Sequence, residues 1–115
     1  MGVELNYYRK MSLKERRFLN SEELKQLADI ETKWEYYTKK TNETYFKIKA
    51  LENYLENNDP LTDDWSVHYE TLQLAMEEQN KNGCKMYAAK DEFFELENLA
   101  QKRKWDAGKN NYGYF

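Results

Sequence analysis

Stepping by three and four residues from Leu27 gives Leu27, Ile30, Trp34, Tyr37, Thr41, Thr44, Ile48, Leu51 and Leu55. This is one heptad seam, apolar at both ends and polar in the middle. The second half of the chain repeats the arrangement from Trp65 through His68, Leu72, Ala75, Gln79, Asn82, Met86, Ala89, Phe93 and Leu96 to Ala100. No segment alternates apolar and polar residues long enough to make a strand, so the pattern predicts an all-α protein.

Breakers are few and place the elements. Asn57-Asn58-Asp59-Pro60 is the strongest turn signal, and Asn80-Lys81-Asn82-Gly83 is the second. Ser12 with Glu15, and Asn20 with Glu23, have capping-box spacing, a short polar cap followed three residues later by a glutamate. These signals predict a basic N-terminal segment over 1–19 holding a short helix at about 13–19. A long helix over 20–57 follows, then a second arm over 61–105, open to a break near 80–83, and an aromatic tail over 106–115. Asp59 or Thr62 caps the second arm, with Pro60 in its first turn.

Two architectures fit this pattern within a single domain. In an antiparallel, coiled-coil-like hairpin of two long helices, the seams meet in the order Leu55–Trp65, Ile48–Leu72, Trp34–Met86 and Leu27–Phe93. Thr41 then faces Gln79, and a matched polar layer disfavours slipped pairings. If the chain breaks at 80–83, the result is a compact three- or four-helix bundle. The hairpin leaves a second stripe of Tyr45, Phe46, Tyr54, Tyr69, Met76, Tyr87 and Phe94 for a homodimer partner, the N-terminal helix or another protein to cover.

Composition sharpens this picture. Charged residues make up 34% of the 115 and mean hydropathy is −1.11, close to disordered sequences. The aromatic share of 16% argues for a folded domain, because each ring buries a large area. One cysteine, Cys84, cannot form an internal disulfide, which fits a reducing cytoplasm. No apolar run approaches a membrane span, and the first residues lack an apolar signal core.

Candidate chemistry is sparse. His68 is the sole histidine, and it has no positioned nucleophile or acid to work with. Cys84 has no second histidine to serve it as a base. Two Cys/His residues in total cannot build structural zinc, and Asp59, Asp63 and Asp64 lack the spacing of a calcium loop. No cofactor is implied and no enzyme is expected.

Charge is distributed unevenly. Residues 1–17 hold five basic and two acidic groups, and 101–115 hold four basic and one acidic. The stretch between them holds nine basic and eighteen acidic groups. The basic ends carry aromatics, so Tyr7, Tyr8, Arg16, Arg17, Lys102, Arg103, Trp105, Tyr112, Tyr114 and Phe115 are the candidate partner-binding residues. Tyr, Trp and Arg are common interface anchors. The expected function is non-enzymatic: a small inhibitor, adaptor or accessory subunit of the size phages and mobile elements encode, acting on a protein partner. The alternative is nucleic-acid binding, where cations meet phosphate and rings stack on bases. Against that alternative, the acidic body repels a polyanion, and the arginines can instead pair with Glu22, Glu23 and Glu97.

Two short motifs resemble those of helical-hairpin secretion substrates with Trp-x-Gly at their turn. Trp65-Ser66-Val67 lies after the turn with valine in place of glycine, and Tyr87-Ala88-Ala89-Lys90-Asp91 matches their downstream Tyr-x-x-x-Asp/Glu. The missing glycine leaves the family unassigned.

Overall fold

The computed structural model describes residues 5–111, with the side chains of 109–111 left aside. It is an all-α helical hairpin with a short N-terminal helix. Helix α1 spans Leu13–Arg16, α2 spans Ser21–Asn57 and α3 spans Asp63–Asn111. The described residues contain no strand.

Local chemistry sets each boundary. The Ser12 hydroxyl accepts from the Glu15 amide at 3.3 Å and starts α1. That helix stops at Arg16 rather than reaching 19. The Phe18 and Leu19 amides instead donate three residues back, to the Glu15 and Arg16 carbonyls, and tighten the chain into a turn that buries Leu19. At the start of α2 the capping box is reciprocal. The Glu23 amide donates to Asn20 Oδ1 at 2.8 Å, and the Asn20 amide donates to Glu23 Oε1 at 2.9 Å.

Between α2 and α3, Asp59 Oδ1 accepts from the Leu61 amide at 3.0 Å, an Asx turn. Of the two candidate caps, Thr62 is the one used. Its hydroxyl accepts from the Trp65 amide at 3.2 Å and donates to the Asp59 carbonyl at 2.9 Å.

Helix α3 passes through Asn80–Gly83 without a break, so the bundle alternative does not form. Gly83 keeps a backbone outside the left-handed region and meets nothing within 4 Å of where a Cβ would stand. A helix-interior glycine costs about 1 kcal/mol relative to alanine. Burial of Met86, Ala89 and Phe93 beyond it outweighs that. The helix also continues through Gly108 to Asn111, past the expected end at 105.

The chain packs as two compact units, and α2 and α3 run antiparallel in each. The first unit contains Tyr36–Met86 with the described residues up to Tyr7. Its core holds Leu72, Ala75 and Met86 against Thr38, Thr41 and Thr44. Next to the turn, the Trp65 indole donates to the Leu55 carbonyl at 2.9 Å, and Tyr54 stacks on His68 at 3.7 Å between ring centroids. The second unit contains Tyr8–Glu35 with the described residues from Tyr87 on. Leu27, Ile30, Trp34, Ala89, Phe93 and Ala100 form its core together with Met11 and Leu19 of the N-terminal segment.

The seam residues are the expected ones, but their pairing is offset. Leu55 meets Trp65 as expected. Thr41, however, contacts the Met86 sulfur at 3.7 Å instead of Gln79, and Trp34 packs on Phe93 at 4.9 Å instead of Met86. Both shifts equal one heptad. A seven-residue repeat determines which face turns inward but not which repeat meets which. Side chains also lean toward their own helix N-terminus, so in an antiparallel pair their tips meet beyond the level pairing.

Candidate interaction surfaces

In the second unit, the N-terminal segment is held to the helices by three arginine–glutamate clamps. Arg9 donates through Nη1 and Nη2 to the two Glu97 oxygens at 2.6 and 2.7 Å. Its guanidinium also lies 4.9 Å from the Phe93 ring centre and 5.7 Å from that of Phe94. Arg16 donates to both Glu31 oxygens at 2.7 and 2.8 Å and, through Nε, to the Met11 carbonyl. The Met11 amide donates to the same Glu31 carboxylate at 2.7 Å. Arg103 donates to the Glu23 carboxylate and to the Phe18 carbonyl at 2.7 Å. Glu31 and Glu97 are buried, and a buried carboxylate persists as an anion only when charged hydrogen bonds replace its water.

These contacts move protonation equilibria. The Arg103 hydrogen bond, helped by the Asn20 amide, holds the Glu23 carboxyl below the usual glutamate range. The Tyr8 hydroxyl donates to Glu35 at 2.5 Å, and the hydrogen bond to that carboxylate pushes its phenol above the ordinary tyrosine value. Arg9 and Arg103 are raised above the ordinary arginine value by their hydrogen bonds to Glu97 and Glu23.

The candidate residues therefore divide into groups. Tyr8, Arg16 and Arg103 lie in the second unit and are engaged within the chain, while Arg17, Lys102 and Trp105 of the same unit are exposed. Tyr7 belongs to the first unit and is also exposed. Tyr112, Tyr114 and Phe115 lie outside the described residues. The pairing of Arg103 with Glu23 and of Arg9 with Glu97 follows from the charge pattern. The buried Glu31 was not expected as a partner, because its position beside the seam reads as a solvated flank.

The first unit presents a different surface. The amide and carbonyl of Asn6 are bonded by the Asn42 carboxamide at 3.0 and 2.9 Å, and the Asn6 side chain donates to Thr41 at 3.1 Å. Away from this anchor, α3 exposes Val67, Tyr69, Leu74 and Met76, and α2 exposes Tyr36 and Phe46. Phe46, Tyr69 and Met76 belong to the second stripe of the sequence. Val67 and Leu74 lie seven residues apart on the outer face of α3, a signal present in the sequence as apolar residues at outward heptad positions.

Groups with catalytic potential are placed for structural roles. The His68 ring stacks on Tyr54, and its Nδ1 lies 2.6 Å from the Asp64 carbonyl, which can only accept, so Nδ1 carries the proton. Cys84 is an exposed thiol. Among the described residues, no group of three or more His, Cys, Asp or Glu side chains could hold a metal ion. No helix of the described residues is long and apolar enough to cross a membrane. No protein-family model, curated protein or solved structure matches this chain.

Proposed function

We propose that the chain is a non-enzymatic binding module that engages a protein partner through the outer surface of its first unit. One observation carries this reading: within ten residues of α3, four large apolar side chains, Val67, Tyr69, Leu74 and Met76, face solvent. The chain otherwise has a mean hydropathy of −1.11. A concentration of exposed apolar area on so polar a protein is the usual signature of an interaction face. A small inhibitor, adaptor or accessory subunit works in this way, by occupying or masking a partner's surface. The arginine clamps support a protein partner over nucleic acid. Arg9, Arg16 and Arg103 spend their charge on carboxylates of the same unit, which leaves fewer cations to neutralise phosphates.

A photo-reactive residue at Leu74, introduced in cells of the source organism, tests the reading. A discrete adduct is expected, and it should disappear with Val67→Glu while circular dichroism stays unchanged. Absence of any adduct above that from the same probe at exposed Arg17 refutes it.

A further inference from the structure

We infer that the second unit pairs with a second copy of this chain, the exposed indole of Trp105 on each copy entering an apolar groove on the other. The groove has a volume of about 410 Å³; Ile30, Leu96 and Leu99 form its floor, and Asp29, Glu92 and Glu95 stand on its rim. Asp29 is already paired with Lys33 at 2.9 Å, so Glu92 and Glu95 supply the rim's unbalanced charge. The chain carries the complement of this groove on the same unit. Trp105 is 73% exposed, and Lys102, one turn before it on α3, is exposed beside it. A large ring flanked by a cation is the complement of an apolar hollow with an acidic rim.

The spacing makes the match reciprocal. Glu92, Glu95, Leu99, Lys102 and Asp106 follow one another at three- and four-residue steps, so they form a single stripe along α3. A two-fold axis at Leu99 sets two such stripes antiparallel. Leu99 then faces Leu99 of the second copy, and Glu95 faces Lys102 in two symmetric places. The same rotation carries Trp105, which lies about 9 Å along the helix from Leu99, onto the half of the second copy that holds its groove. Because the operation is two-fold, the contact closes as a dimer and does not propagate. One pairing opposes it: Asp106 faces Glu92, like charges that weaken the dimer. The surface lies wholly within the second unit, so this inference is independent of the proposed partner face.

Sedimentation of the full chain from micromolar to millimolar concentration, at low and high salt, tests the pairing. A monomer–dimer equilibrium is expected. Trp105→Ala, at an exposed position that leaves folding intact, should weaken it at least about tenfold. Glu95→Lys and Lys102→Glu should each weaken it by a similar factor, since every reversal counts twice, and the double reversal should restore it. Asp106→Asn should tighten it. A chain that stays monomeric through the whole range overturns the inference. So does a dimer indifferent to Trp105→Ala and to both single reversals.

Discussion

Arg9 and Glu97 are 88 residues apart in sequence and meet as a two-pronged ion pair at 2.6 and 2.7 Å. The two ends of the chain are thereby bound to each other within the second unit. The arginine is half exposed while the glutamate side chain is only 9% accessible, so the partners respond differently to substitution.

Removing Arg9 leaves the Glu97 carboxylate buried without its counter-charge. Arg9→Ala should cost about 2–3 kcal/mol, below the usual cost of breaking a fully buried pair because water reaches the arginine's side of it. Replacing both residues with methionine should recover most of that loss, since no uncompensated charge remains. Urea unfolding of the two variants checks this. Equal losses would mean that the ion pair contributes a net stabilisation beyond the avoidance of a lone buried charge.

The Glu23 clamp predicts an acid-sensitive contribution. Its carboxyl titrates lower in the folded chain than in the unfolded one, chiefly because of Arg103. The contribution is therefore complete above the ordinary glutamate value of about 4.3 and is lost as pH falls through the depressed folded value. Glu23→Gln should lower stability at neutral pH, and the gap to the unaltered chain should close below about pH 4. Unfolding curves at several pH values measure it; a gap that stays constant to low pH would contradict the linkage.

Much of this was legible in the sequence, and the misses have a common cause. Caps and turns are local, so Ser12, Asn20, Asp59 and Thr62 announce the elements they bound. The seam is periodic, so its members are also readable. Register is neither local nor periodic. A heptad pattern gives Trp34 equally good faces at Met86 and Phe93, and ring-on-ring packing with Phe93 and Phe94 decides between them. Glu31 and Glu97 were unreadable as buried residues because their burial depends on Arg16 and Arg9, delivered by a segment with no periodicity of its own. The continuation through Gly83 was equally hidden: the local breaker signal is real, and packing of Met86, Ala89 and Phe93 overrides it.

Gly83 lies inside α3 with an ordinary helical backbone and open space where a side chain would stand. Gly83→Ala should therefore stabilise the chain by about 0.5–1 kcal/mol, by reducing the entropy of the unfolded state. Thermal melts followed by circular dichroism measure it. A decrease in stability would show that the chain turns at Asn80–Gly83 and would revive the compact bundle.

The offset register has its own signature in the polar centre of the first unit. Gln79 Oε1 and Thr38 Oγ1 are buried there without a hydrogen-bond partner, while the Thr41 hydroxyl is occupied by the Thr38 carbonyl and the Met86 sulfur. An unpaired buried acceptor costs about 1–3 kcal/mol, and removing it returns part of that cost. Gln79→Leu and Thr38→Val should each raise stability by about 1 kcal/mol. In the register one heptad away, Thr41 would satisfy Gln79, and Gln79→Leu would instead leave the threonine hydroxyl short of a partner and lower stability. Urea midpoints of the two variants therefore report which repeat of α3 faces which repeat of α2, and a loss of stability in Gln79→Leu would exclude the pairing of Thr41 with Met86.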